Sequence, residues 1–444
     1  MRKKYSILIV AALFFPSLYY ITLFSSFFNL ESRLCKNYCS QNSDPDLLSV
    51  KENHQQQQFK FSSPPKLGFP EEIQKTHINE PAKEANQQQF NSTYSPAVVF
   101  SGEIQETPIN ESAHLATPTS LAVEKRKAQL KKELPKIIQL NQQTGVFDPR
   151  LKKLLSEDCD VRFFMIWISP IAKFKSIEFL ALKSVFKAHP SGCVAILSNS
   201  MDSKQGRVLL KPFTDRGYRV AAISPDFDFV LKDTPAESWF NEVKKGNVDP
   251  GTIPFPQNLS NLLRLAVLYK YGGVYLDTDV LVLKKFSDLK NTIGAQSVHC
   301  NGNWSRLNNA VLVFDKKHPL LFEFLKEFSQ TFNGSKWGYN GPSMVSRVVG
   351  RAKQRLQDYN FTIMPPRAFY PVDWIKIKVF FRQPENRAGL KWAAEKVNQL
   401  SRGETYALHL WNKVSRSLEI EHGSIVERLA SFQCLLCNKD TSIH

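Results

Sequence analysis

The chain has 444 residues, a net charge of +17 and a pI near 9.4. Its apolar content of 42% allows a full core and argues against disorder throughout, and its length could hold two domains. The basic balance disfavours basic ligands and suits acidic ones: nucleic acid, anionic lipid or a phosphorylated substrate.

Arg2-Lys3-Lys4 precede a stretch from Tyr5 to Leu30 without a charged side chain. At ~1.5 Å per residue it is long enough to cross a ~30 Å hydrocarbon core. The basic residues come first, so residues 1–4 are expected in the cytoplasm. Phe27-Phe28-Asn29-Leu30 closes the run and is a poor signal-peptidase site. Residues 5–30 therefore read as an uncleaved signal anchor, with the remainder lumenal. That placement removes nucleic acid as a partner. Sequons at Asn91, Asn110, Asn258, Asn303, Asn333 and Asn360 agree with it, although Asn258 sits in a motif helix and is a poor glycan site. Seven cysteines in an oxidising lumen predict disulfides and leave one over, which could join two chains. A homodimer through the stem, disulfide-linked or not, is one expectation. Cys434-Leu435-Leu436-Cys437 lacks the second pair of a zinc site and reads as a structural disulfide or free thiols.

Residues 31–125 read as a disordered stem. Polar runs at Gln55–Gln58 and Gln87–Gln89 alternate with Pro, Ser, Thr and Asn, and large apolar residues are sparse. Glu72-Ile73-Gln74-Lys75-Thr76-His77-Ile78-Asn79-Glu80 recurs, imperfectly, 31 residues later as Glu103-Ile104-Gln105-Glu106-Thr107-Pro108-Ile109-Asn110-Glu111. Two copies without a helical apolar face suggest duplicated spacer rather than a solenoid. Residues 124–136 are charged and suit a solvated helix.

The folded domain is expected to begin near Cys159. Val161-Arg162-Phe163-Phe164-Met165-Ile166-Trp167-Ile168 is a buried-strand run. Ile177, Leu180, Leu182, Val185 and Phe186 give a helical pattern. Cys193-Val194-Ala195-Ile196-Leu197 is a second strand, Val208 to Phe213 a helix, and Tyr218 to Ile223 a third strand. The alternation implies a parallel sheet with right-handed crossovers, which places ligands at the carboxyl ends of strands. Residues 224–256 read as irregular.

Residues 259–271 read as a mostly buried helix, capped by Asn258 or Ser260. It carries Asn261 and Arg264 on one face. Gly272-Gly273 stop it. Val274-Tyr275-Leu276 is a short central strand ending in Asp277-Thr278-Asp279. In extended backbone the two aspartates point to one side and can hold Mg²⁺ or Mn²⁺ and, through it, a diphosphate. A haloacid-dehalogenase-type phosphatase also starts from Asp-x-Asp. It expects a downstream acidic pair, and after Asp288 only the isolated Asp315, Asp358, Asp373 and Asp440 remain. A calcium loop fails for want of a closing Glu. Further on, residues 309–314 read as a strand, 319–332 as an amphipathic helix and 424–434 as a closing helix. Residues 370–402 are basic and rich in aromatics.

Asn258-Leu-Ser-Asn-Leu-Leu-Arg264 with Tyr269-Lys-Tyr-Gly-Gly-Val-Tyr-Leu-Asp-Thr-Asp279 resembles the DXD sugar-binding region of glycosyltransferase family 32. Asn340-Gly341-Pro342 and His409-Leu410-Trp411-Asn412 resemble later motifs of the α-1,4-glycosyltransferases, nearest to their plant branch. The resemblance covers roughly residues 159–434. It implies an α/β, GT-A-type (Rossmann-like) nucleotide-sugar domain with a mixed, mainly parallel sheet. The DXD region would span 158–318 and the α-1,4-glycosyltransferase region 319–444 of one catalytic domain. It further implies a Golgi type II membrane enzyme. Such an enzyme moves galactose or N-acetylglucosamine from a UDP-sugar to a glycan or glycolipid with retention, using Mn²⁺ or Mg²⁺. By the family pattern Asp279 ligates the metal. Asp277 meets the ribose, the donor sugar or the metal through water, and Arg264 contacts the donor. Tyr275 and Gly341 are expected beside the donor. His409 is expected at the metal or the diphosphate, and Asn340 on the acceptor side near the anomeric carbon. Asn261 stands where many relatives carry Asp and is expected to hydrogen-bond the donor sugar or ribose without adding charge. Trp337 and Tyr339 suit either an acceptor ring or the core. An inactive sugar-binding protein on the same fold is the competing expectation.

Overall fold

The computed structural model describes residues 118–138, 145–156, 158–352 and 359–432. The expected anchor, the duplicated segment and the Cys434–Cys437 pair lie outside them. Among the described residues no helix is long and apolar enough to cross a membrane.

Among the described residues nine strands form two sheets: β1 Arg162–Ile166, β2 Cys193–Leu197, β3 Arg219–Ile223, β4 Gly273–Leu276, β5 Val280–Val282, β6 Thr292–Val298, β7 Trp304–Phe314, β8 Thr362–Met364 and β9 Ala407–His409. The large sheet runs β3-β2-β1-β4-β7-β6-β8, and β5 pairs with β9 apart from it. β3, β2, β1 and β4 are parallel. β7 alone is antiparallel to its neighbours, and β6 and β8 return to the parallel sense. This is the mixed, mainly parallel sheet that the resemblance implies.

The uninterrupted apolar runs of β1 and β2 reflect burial on both faces. Phe164, Ile166, Ala195 and Leu197 enter one core, and the alternate Phe163, Met165, Val194 and Ile196 enter the other. Helix Ser176–Ala188 carries the chain from β1 to β2, and helix Lys204–Thr214 from β2 to β3. A disulfide, Cys159–Cys193, ties the approach of β1 to the start of β2. Cys300 is exposed and free.

Three expectations change. Residues 224–256 are not irregular: they hold helices Phe227–Leu231 and Glu237–Lys245. Their prolines 225, 235, 250 and 254 fall outside the helices, while Trp239, Phe240 and Val243 are buried. Trp239 lies edge-on to Phe328, with ring centroids 5.1 Å apart. The charged helix near residue 124 starts at Pro118 and ends at Ile138. It is not wholly solvated, because Leu130, Leu134 and Ile138 are buried and Arg126 pairs with Asp249 at 2.6 Å. The motif helix runs Phe255–Tyr271, with Pro256 in its first turn, so Asn258 and Ser260 lie inside it and do not cap it.

That helix ends on two left-handed glycines, Gly272 at φ 66° and Gly273 at φ 117°. A Cβ on Gly273 would lie 2.5 Å from the Arg162 carbonyl oxygen. The chain must pass this close to enter the sheet beside β1. Gly273→Ala is therefore expected to cost about 3 kcal/mol or more. A thermal melt compares it with Gly217→Ala, which is also left-handed but in open space.

His189 is 4% exposed and its Nε2 accepts from the Phe286 N–H at 3.1 Å. Burial, with Lys285 nearby, pushes its pKa from 6.5 down to about 4. The unfolded chain therefore takes up a proton that the folded one refuses. The contribution is intact above pH 6.5 and is lost as pH falls toward 4. Denaturant unfolding across this window should show a loss of up to about 3 kcal/mol. His189→Gln keeps an acceptor and should flatten that slope.

Candidate active site

The site is built from three pieces of chain. The first is the motif helix. Arg264 sits among its buried leucines at 5% exposure. Such a cation needs a partner wherever it points. Nη1 donates to the Asn309 carbonyl at 2.8 Å and lies 3.1 Å from Asp277 Oδ1. Nε and Nη2 bond back to Ser260. The guanidinium also lies 4.4 Å above the centre of the Tyr275 ring.

The second piece is the end of β4. Tyr275 is buried, and its hydroxyl donates to Asp277 Oδ1 at 2.5 Å. Arg264 and Tyr275 thus hold the same carboxylate oxygen. The extended backbone expected through Asp277-Thr278-Asp279 does not persist past Leu276. The chain turns, with the Val280 N–H on the Asp277 carbonyl at 3.1 Å. The turn, and not strand alternation, gathers the two carboxylates.

The third piece is β9 and the residues after it. Antiparallel pairing sets Val280 opposite His409. His409 Nε2 consequently lies 3.3 Å from Asp279 Oδ2. The Leu410 N–H donates to the Asp279 carbonyl, and the Asn412 N–H to Asp279 Oδ2 at 2.6 Å. Between them Trp411 adopts φ 55°. A bulky residue rarely sits in this left-handed region. Its indole N–H on the Val372 carbonyl at 2.8 Å helps to hold it there. Glu178, buried in the first turn of helix Ser176–Ala188, secures the same segment. It accepts from Arg416 at 3.0 Å and from the Asn412 side chain at 3.4 Å.

One ligand atom from each of Asp277, Asp279 and His409 falls within 4.8 Å of the others. Burial raises the Asp277 pKa; Arg264 opposes this and Asp279 adds to it, and the net direction is up. Burial would also raise Asp279, but His409 and the Asn412 N–H outweigh it and the net direction is down. His409 moves up, since Asp279 outweighs burial of the imidazolium. His409 Nδ1 is buried without a partner. Two adjoining carboxylates, an imidazole and an orphaned ring nitrogen fit a divalent cation with an anionic ligand.

The remaining expected residues divide. Asn261 is half-buried at the rim and its Oδ1 accepts from Asn309 Nδ2 at 2.9 Å. Gly341 packs on it so closely that a Cβ would lie 2.8 Å from that oxygen. Asn340, expected on the acceptor side, is turned into the structure. It is 3% exposed, and its amide bonds to Asn258 Oδ1, the Asn333 carbonyl and the Asn333 N–H. Asn258 is therefore a buried strut and not a glycan site. Asn309 and Glu178 carry no site expectation from the sequence, and Asn412 enters there only as part of the His409-Leu410-Trp411-Asn412 motif. A polar pair, Asn308-Asn309, directly before the apolar run Ala310–Phe314 is the available signal for the first.

Residues 177–299 match the model of the glycosyltransferase sugar-binding region containing the DXD motif. Residues 313–441 match that of the alpha 1,4-glycosyltransferase conserved region. An uncharacterized protein of Arabidopsis thaliana is 33% identical over 290 residues, covering 64% of this chain and 43% of its own length. Lactosylceramide 4-alpha-galactosyltransferase of Pongo pygmaeus is 33% identical over 204 residues, covering 44% of this chain and 84% of its own. Alpha-1,4-N-acetylglucosaminyltransferase of Homo sapiens is 27% identical over 221 residues, covering 47% and 58%. The chain spans less than half the length of the plant relative. With a DXD region, the later conserved region and this span of the galactosyltransferase in one chain, the protein belongs to the α-1,4-glycosyltransferase family.

Proposed function

We propose that the protein is a metal-dependent, retaining hexosyltransferase that uses a UDP-sugar as donor and a glycan or glycolipid as acceptor. The observation that carries this is the Asp277–Asp279–His409 cluster at the carboxyl end of β4, with Asp279 and His409 buried and Asp277 partly exposed. Mn²⁺ or Mg²⁺ bound there would offset the diphosphate charge and stabilise departing UDP as a Lewis acid. The chain's own part is positional. Asp279, fixed by two backbone N–H groups, presents its carboxylate to the cation. Arg264 and Tyr275 orient Asp277. His409 brings a proton-bearing ring to the diphosphate side. Asn261, at the rim, faces the donor sugar. The names of two relatives support galactose or N-acetylglucosamine as the sugar transferred. The uncharged stretch 5–30 supports a Golgi type II protein with a lumenal catalytic domain.

The test is release of UDP from UDP-galactose and UDP-N-acetylglucosamine by the full chain in detergent. Chelation should abolish release and added Mn²⁺ restore it. Asp279→Asn should lower the rate ~100-fold or more at unchanged melting temperature. Turnover at the wild-type rate by a folded Asp279→Asn protein would falsify the reading. Arg264→Lys keeps the charge but loses the planar fork. It should weaken Mn²⁺ binding in calorimetry about tenfold, since Asp277 then loses one of its two anchors.

A further inference from the structure

Trp337 is 52% exposed, and core packing does not account for it. It stands on the loop between helices Pro319–Thr331 and Pro342–Arg351. The loop is held at many points. Asn333 Oδ1 accepts from the N–H groups of Ser335 and Lys336. The Gly334 carbonyl accepts from the Ile253 N–H at 2.9 Å. Asn340 is bolted to Asn258, and Tyr339 lies under the Arg347 guanidinium at 4.0 Å. The indole is thus presented from a fixed support.

Its position is defined from two sides. Four residues on, Gly341 abuts Asn261 on the motif helix. On the other side Lys413 Nζ lies 3.7 Å from the indole centroid. Lys413 follows Asn412, whose N–H holds the Asp279 carboxylate. The Trp337–Lys413 contact therefore joins the loop that abuts Asn261 to the segment that holds Asp279. Lys413 is exposed, and among the described residues no ion pair joins it to a carboxylate.

We propose that Trp337 and Lys413 form an acceptor subsite for a sugar ring that carries an acidic group. The inference rests on the transferase reading and names the acceptor's chemical class. The apolar C–H face of a pyranose stacks on an indole as other flat apolar groups do. To reach the face covered by Lys413 it must displace the ammonium. A neutral ring forfeits the cation–π contact, of order 0.5–2 kcal/mol. A ring bearing a carboxylate, sulfate or phosphate gives the displaced ammonium a new partner, and nothing is lost. The pair thus discriminates by charge while the indole supplies the contact area.

Surface plasmon resonance on the immobilised full chain tests this with lactose, 3′-sialyllactose and lactose 3′-sulfate. Each is run with UDP and Mn²⁺ and again without them. Wild type should bind the acidic sugars about fivefold more tightly than lactose, with the preference shrinking as salt rises. Trp337→Ala should weaken both acidic sugars about tenfold, and Trp337→Phe should recover part of the loss. Lys413→Met should bring them to the level of lactose. Preference for either acidic sugar, lost in Lys413→Met, supports the subsite; the two arms separate carboxylate from sulfate. Equal binding of neutral and acidic sugars, or indifference to both Trp337→Ala and Lys413→Met, overturns it. UDP and Mn²⁺ binding by each variant reports that it is folded. If wild type binds neither, the donor reading fails, and the runs without them judge the subsite alone.

Discussion

A guanidinium buried between a leucine-rich helix and the ends of two strands is the constraint on which the site depends. Arg264 cannot reach bulk water, and an unpaired charge there would cost several kcal/mol. Its fork must be met by groups that are themselves fixed: the Asn309 carbonyl within the buried part of β7, and the Asp277 carboxylate just past the end of β4. The two strands are neighbours, with Leu276 opposite Val311, so their ends lie side by side. One cation thereby locks the helix, two strands and the first aspartate of the DXD motif. Tyr275 closes the arrangement from below, since its ring takes the guanidinium and its hydroxyl takes the carboxylate.

The second aspartate is held by different means. Its partners are main-chain N–H groups from a segment more than 130 residues later, delivered by a short ladder of three residue pairs. The left-handed turn at Trp411 makes both N–H groups face one residue. Glu178 extends the clamp to the helix after β1. The two carboxylates thus differ in kind. One is paired with a fixed cation and pushed up by burial; the other lies in a nest of donors and is pushed down. Both remain near enough to share a third charge.

Much of this was legible in the sequence. The runs at β1, β2 and β3 are pure enough in apolar content to be read directly, and Asp-Thr-Asp behind a glycine pair marks the site. His409 could be read through its resemblance to a later motif. Other features depend on tertiary partners. The prolines of residues 224–256 look like breakers, but they stand before, between and after two helices, the second of which buries Trp239 and Phe240, and Pro256 opens the motif helix. Asn340 looks like a site residue because it is polar beside a turn; its strut role appears only once Asn258 and Asn333 are placed around it. The turn at Asp277–Asp279 is set by the Asp277 carbonyl accepting from Val280, which no residue pattern announces.

The pairing of β5 with β9 has a consequence for how the site comes into being. Asp277 and Asp279 leave the ribosome long before His409 and the turn at residues 410–412. The cluster therefore depends on a contact of high sequence separation, whose closure entropy must be met before it can form. Until β9 docks, Asp279 has neither its N–H donors nor its imidazole, and the cation site is half made. A nascent chain, or one cut short before residue 407, presents the DXD motif without the means to hold it.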